Sequence, residues 1–405
     1  MDAAANGTGA GWLDRTFGNG GAVLVPTAST SRSVDARVAV GPTGRIFVLS
    51  LRQTLAGGFR TELTAFTSSG RLDQTFHGGR LAAVLTIPVS DPLCCAIAGP
   101  FPTMDGGVEV VVGRATAWVA RRYTASGNLA WSRSMGHGSI DAASLAGASL
   151  RVLSFDLGSS GAEPGPLTLD GLTPAGQPDV RVGPGGVRDL DTLVGPAAIL
   201  ADPLNRLYVF GNRYADPPAG DRLIQLRRLS SSGVLDPTYG TGGLTEIPVD
   251  DADDSPGSGG RFGAAAMGPD GSLIIAGNAR HPASGRQVVA VRHVMPDGTL
   301  DATFADGGLL YFTGPTGSAR FAALGVDASG RILLSFVARS GSLQPMIARL
   351  DGASGALDTS LGSGGWLPVA GLPTGIEVTG DGKVLTVSRI ARDGQLVLYL
   401  ARRGM

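Results

Sequence analysis

The sequence predicts an all-β fold, a closed seven-bladed β-propeller of four-stranded antiparallel blades, and three observations point to it. A short phrase returns seven times, with onsets at residues 13, 72, 129, 178, 235, 300 and 357. Spacings of this size mark a solenoid or a propeller and override the two or three domains that the length alone suggests. Between the phrases lie short apolar runs separated by glycine turns, the pattern of meandering antiparallel strands. No helical period of useful length competes with them.

The phrase is complete in Leu13–Gly21, where Leu13-Asp14 precedes Phe17 and a glycine pair. It recurs at Leu72-Asp73, Leu235-Asp236, Leu300-Asp301 and Leu357-Asp358, with worn copies from Leu129 and from Pro178. The recurrent aspartates are expected to cap their own turns through side-chain-to-backbone hydrogen bonds.

Each unit then unfolds in the same order. In the first, Ala22–Val25 is a short strand ended by Pro26, which has no N–H for a ladder. Arg37–Val40, the turn Gly41–Gly44 and Arg45–Leu49 follow, then Glu62–Phe66 and the turn Thr67–Gly70. The second strands of later units, such as Val108–Val112 and Leu273–Ala276, are continuous apolar runs, as in sheets covered on both faces. The first strands use small residues, as in Gly263–Ala266, which suits a crowded position beside a central axis.

Closure follows from where the phrases fall. Ala22–Val25 is expected to pair with Leu396–Leu400, so that one N-terminal strand completes the last blade and hides the sheet edge. Residues 1–12 form an N-terminal extension in this reading, and 13–405 form one propeller domain.

The Gly-x-Leu-Asp-x-x-Phe-Gly-x-Gly-Gly phrase, with turns such as Gly268-Pro269-Asp270-Gly271 and Met295-Pro296-Asp297-Gly298, resembles the delta-60 repeat of bacterial propellers. The resemblance runs from about Leu13 to Met405, and repeats three and four depart from it most. It implies a fold and no activity, so it assigns no catalytic residue.

Composition narrows the function. Net charge is −1, and Lys383 is the only lysine beside 32 arginines. No clustered basic excess marks a nucleic-acid surface. No run of 18 apolar residues marks a membrane span. Met1–Gly9 lacks the basic and apolar regions of a signal peptide and reads as a mature N-terminus with a start Met added. Polar Gly/Ser/Thr-rich loops and two cysteines suit a monomer that is secreted or periplasmic.

The turns of one face are short and alike, whereas the opposite connections vary in length and chemistry, and sites concentrate in such loops. Four groups there carry candidate chemistry. Asp250, Asp251, Asp253 and Asp254 read as a solvated acidic loop, a cation site suited to calcium, or a docking surface. Cys94 and Cys95 are adjacent and read as a vicinal disulfide or as two reduced thiols. Arg261 and Arg320 precede inner strands at equivalent places and suit an anion or a sugar acid, or backbone hydrogen bonds between blades. Trp118, Tyr214, Asp216 and His281 could stack on or bond to a sugar. His77, His137, His281 and His293 form no metal-spaced pair.

The expected function is a ligand-binding or protein-interaction module acting through the variable-loop face. Its partner would be a small molecule, a carbohydrate or a protein. The alternative is an enzyme, a metal-assisted hydrolase or lyase on a carbohydrate or small metabolite, with its site in the axial funnel. No cofactor other than calcium is indicated.

Overall fold

The computed structural model describes the chain apart from residues 1–10, 27–30, 55, 88–95, 114–116, 136–138, 156–166, 191–195, 215–221, 250–261, 341, 393–394 and 405. Among the described residues, twenty-eight strands form seven four-stranded antiparallel sheets, one per blade. After β1 (Ala22–Leu24), blade one holds β2 (Ser31–Val40), β3 (Ile46–Thr54), β4 (Phe59–Phe66) and β5 (Ala82–Ile87). Blade two holds β6 (Ile97–Pro102), β7 (Val108–Gly113), β8 (Trp118–Tyr123) and β9 (Leu129–Met135). Blade three holds β10 (Ser139–Ala146), β11 (Ser149–Phe155), β12 (Leu167–Leu172) and β13 (Val187–Asp189). Blade four holds β14 (Pro196–Ala201), β15 (Leu207–Tyr214), β16 (Arg222–Leu229) and β17 (Leu244–Pro248). Blade five holds β18 (Phe262–Met267), β19 (Leu273–Arg280), β20 (Gln287–Val294) and β21 (Leu309–Phe312). Blade six holds β22 (Ala319–Val326), β23 (Ile332–Ser340), β24 (Ser342–Leu350) and β25 (Trp366–Pro368). Blade seven joins β26 (Leu372–Val378), β27 (Val384–Arg392) and β28 (Gln395–Arg403) to β1.

Closure is as expected from the sequence. Ala22, Val23 and Leu24 pair antiparallel with Ala401, Leu400 and Tyr399. Leu13 also bridges to Arg403, and Asp14 N–H donates to Arg402 O at 2.9 Å, so the first phrase is stitched to the last strand.

Sheets this short are stable because each is covered on both faces. The buried apolar residues fall into one principal cluster per seam. Phe47, Leu49, Val108 and Val110 pack between blades one and two, and Val38, Val48, Leu385 and Leu398 pack across the closing seam between seven and one. Each fully buried Val, Leu, Ile or Phe contributes roughly 1.5–3 kcal/mol. Every innermost strand also carries a register shift at its outer end, such as Ser33/Asp35, Phe321/Ala323 and Pro373/Gly375. Such bulges bend a strand, here the one that lines the axis.

Candidate functional site

The recurring phrase proves to be a clamp between blades. In blade four, Asp236 Oδ1 accepts from Thr238 N and Oγ1, at 3.0 and 2.7 Å, which closes the turn as expected. Its Oδ2 accepts from Arg228 Nε at 2.8 Å, and Arg228 Nη1 donates onward to Pro296 O, in the turn of blade five. The guanidinium lies 4.8 Å from the centre of the Tyr239 ring, the aromatic of the same phrase. Asp358 repeats the arrangement with Ser360 and Arg349 (2.7 Å to Nε), and Asp14 repeats it with Thr16 and Arg402 (2.8 Å). Burial alone would raise the carboxyl of Asp14, but bonds from Thr16 and Lys383 and the charge of Arg402 hold it far below the ordinary carboxylate range; bonds from Ser360 and Arg349 hold that of Asp358 at about 2.

Where the third strand of a blade lacks the arginine, the second strand or the residue just before it supplies one. Gly171 stands at the arginine position of blade three, and its cross-strand partner Arg151 donates to Asp179 at 2.8 Å and to Ser231 O at 2.7 Å. Ala65 holds the same position in blade one, and Arg45 donates to Asp73 at 2.7 Å and to Ala125 O at 2.7 Å. The aspartates were legible in the repeat; their arginines were not, because the partner moves between strands.

Blade five breaks the series. His293 stands where Arg228 and Arg349 stand in their blades, and its Nδ1 lies 2.7 Å from Asp301 Oδ2. An imidazole is shorter than a guanidinium, and a groove of about 360 Å³ lies at this seam, lined by His293, Asp301, Asp270 and Asp351.

At the variable-loop end, the anticipated residues separate. Trp118 is 0% exposed and packs with Val111, Ile140 and Val152 between blades two and three, so it is a core residue and cannot stack on a sugar. Arg320 is exposed at the start of β22. His281 is half-buried in the loop after β19, with its ring 5.5 Å from Tyr311, an aromatic that the sequence reading passed over. Tyr214 ends β15 opposite Arg222, and its side chain is outside the description. Cys94, Cys95, Asp216, Asp250, Asp251, Asp253, Asp254 and Arg261 lie outside the described residues. Among the described residues no group of three His, Cys, Asp or Glu side chains is placed to hold a metal.

Polar side chains beneath that end differ from blade to blade. Blade one buries Arg52 Nε against Glu62 at 3.0 Å with both side chains fully covered. Blade three sets Ser154 against Asp170, and blade four sets Gln225 against Glu246 at 3.0 Å. Asn278 Oδ1 accepts from Phe321 N–H at 2.9 Å across the seam between blades five and six.

A second cavity, of about 560 Å³, opens on the clamp face between the inner strands of blades seven and one. Val40, Pro42, Ile46, Pro102 and Val378 supply its apolar wall, and Glu377, Asp381 and Arg402 its charged groups. Burial pushes Glu377 up to about 7, against a hydrogen bond from Val40 N–H that favours the ionised form.

Comparison with known proteins agrees with the architecture. A family model described as a β-propeller domain of unknown function (DUF5122) matches residues 268–304, the Pro-Asp-Gly turns and phrase of blade five. No curated protein matches the chain. The β-propeller domain of the Trilobed protease from Pyrococcus furiosus is similar over 92% of this chain and 96% of its own, at 11% identity and a TM-score of 0.53. That domain has an open velcro topology, whereas β1 closes the ring here. A PL25 ulvan lyase, solved bound to -[GlcA(1-4)Rha3S]-, is similar over 94% of this chain and 96% of its own, at 8% identity and a TM-score of 0.52. A protein of unknown function from Dyadobacter fermentans covers 95% of this chain and 98% of its own, at 12% identity and a TM-score of 0.47. At these identities the likeness is one of fold. Among the described residues no helix is long and apolar enough to cross a membrane.

Proposed function

We propose that this propeller is a binding module whose ligand, a small molecule, a carbohydrate or a protein, docks on the variable-loop face. The observation that carries the reading is a division of labour along the blades. At one end the repeated aspartates are tied to arginine or histidine partners and turn N–H groups, so they serve the ring. At the other end the polar residues follow no repeat, and differences between blades are where recognition is built. His281, Tyr311 and Arg320 are the described side chains we assign to that surface. The acidic loop with Asp250, Asp251, Asp253 and Asp254 is proposed to lie on the same face and to take calcium.

Binding is favoured over catalysis by the chemistry of His293–Asp301. This pair holds the position that an arginine–aspartate pair holds in blades four and six, which marks it as a variant clamp. We also place the chain among the delta-60 repeat propellers, supported by the match over blade five, and propose that it acts as a monomer outside the cytoplasm.

A thermal-shift screen of calcium, neutral sugars and sugar acids tests the function, since a specific ligand raises the melting temperature by mass action. The expected result is a rise that His281→Ala or Arg320→Ala removes. A rise that survives both, and also survives Tyr311→Ala, would place the site elsewhere.

A further inference from the structure

Glu377 breaks a pattern that the other six blades keep. The cross-strand registers place it at the same rung of the innermost strand as Ala39, Phe101, Ser144, Leu200, Ala266 and Gly325. None of those six carries a charge. At this rung the side chain is directed at the next blade: a Cβ on Gly325 would meet Ile376 and Val378 of blade seven at 3.6 and 3.7 Å. Glu377 correspondingly meets blade one, where its hydrogen-bond donor is Val40 N–H.

The surroundings leave that carboxylate without a counter-charge. Asp381 is paired with Lys383 at 3.1 Å, and Lys383 also reaches Asp14 at 3.0 Å. Arg402, which lines the cavity together with Asp381, donates instead to Asp14 at 2.8 Å and to Ser68 O in the next blade. The residues that blades one and two present to the cavity, Val40, Gly41, Pro42, Gly44, Ile46, Ser68 and Pro102, are uncharged. Among the described residues Glu377 has no ion-pair partner.

A carboxylate in an apolar recess is costly unless a cation joins it. We propose that this cavity binds a small organic cation, a primary or quaternary ammonium on a compact apolar body, with Glu377 as its counter-ion. The apolar wall takes the body of the ligand, and the ammonium supplies the charge that Arg402 and Lys383, paired with Asp14 and Asp381, do not. This site is on the clamp face, opposite the variable loops, so it stands or falls independently of the function proposed above.

Calorimetric titration of the intact protein with n-butylammonium, tetramethylammonium and n-butanol at about pH 8 tests the proposal. Saturable binding of at least one of the ammonium ions, with n-butanol binding at least about tenfold more weakly, is the expected result. Because the ligand needs the ionised carboxylate, affinity is expected to fall about tenfold per pH unit below 7. Glu377→Gln, checked for an unchanged circular dichroism spectrum, is expected to abolish binding. Equal binding of n-butanol, a pH-independent affinity, undiminished binding by Glu377→Gln, or no binding of either cation would each overturn the proposal. The first, second and last outcomes are read on the wild-type protein and need no variant.

Discussion

Gly70 lies directly beneath Phe17 of the preceding phrase: a Cβ there would sit 2.8 Å from the ring, and the residue's φ is +80°. The same closeness relates Gly298 to Tyr239 and Gly355 to Phe304, each at 3.0 Å. The backbone joins in, with Gly18 N–H donating to Ser69 O and Gly240 N–H to Asp297 O, both at 2.7 Å. The aromatic of one phrase and the glycine before the next are thus one contact, made across a seam.

Gly70→Ala is therefore expected to cost about 2 kcal/mol, from the left-handed backbone and the overlap with Phe17 together. Chemical denaturation measures it. Gly364→Ala makes a control, since φ is again positive (+64°) but a Cβ there meets nothing within 4 Å, so it should cost about half as much.

Arg228→Ala removes the donor to Asp236, Thr238 and Pro296 O and is expected to cost about 2–3 kcal/mol. Arg228→Lys should restore little of this, because one ammonium cannot span the three acceptors. The apparent unfolding free energies of the two variants check the claim.

His293→Arg installs in blade five the side chain that blades four, six and seven use. The arginine is expected to fill the groove, reach the Asp351–Ser354 turn and raise stability by about 1 kcal/mol. A melting temperature equal to or below that of the wild type would show that the histidine is not a shortened clamp.

The acid limb of stability follows from the clamp aspartates. Asp358 is held at about 2 and Asp14 lower still, and a depressed native pKa stabilises above the unfolded value, near 3.9, and is lost as pH falls through the native one. The melting temperature should thus drop between about pH 4 and pH 2. Glu377 has the opposite sign. Its raised value means that the native state holds a proton that the unfolded chain releases, so stability declines as pH rises from about 4.5 through about 7. In the absence of ligand, Glu377→Gln should match the wild type at about pH 4 and melt higher at about pH 8.

The architecture was legible because each blade states it again. Strand 22–24 could be assigned to the last blade from the spacing of the phrases alone, and its pairing with Tyr399, Leu400 and Ala401 agrees. Trp118 was misjudged because its loop position outweighed the apolar alternation around it, and its ring belongs to the seam beneath. The clamp arginines escaped notice because Arg151 comes from the second strand and Arg45 from the residue before it, while Arg228, Arg349 and Arg402 come from the third. Glu377 could have been found by aligning the inner strands on their turns, where it faces small or apolar counterparts. Register sets such equivalences, and register depends on bulges that no single strand reveals.

Amide hydrogen exchange, with and without a sugar or sugar acid that raises the melting temperature, tests the division between the two faces most directly. Protection confined to the variable end, including residues 278–286 and 313–320, is the predicted result. Protection confined to the clamp turns at residues 67–70, 230–233 and 295–298, with residues 278–286 and 313–320 unchanged, would contradict it.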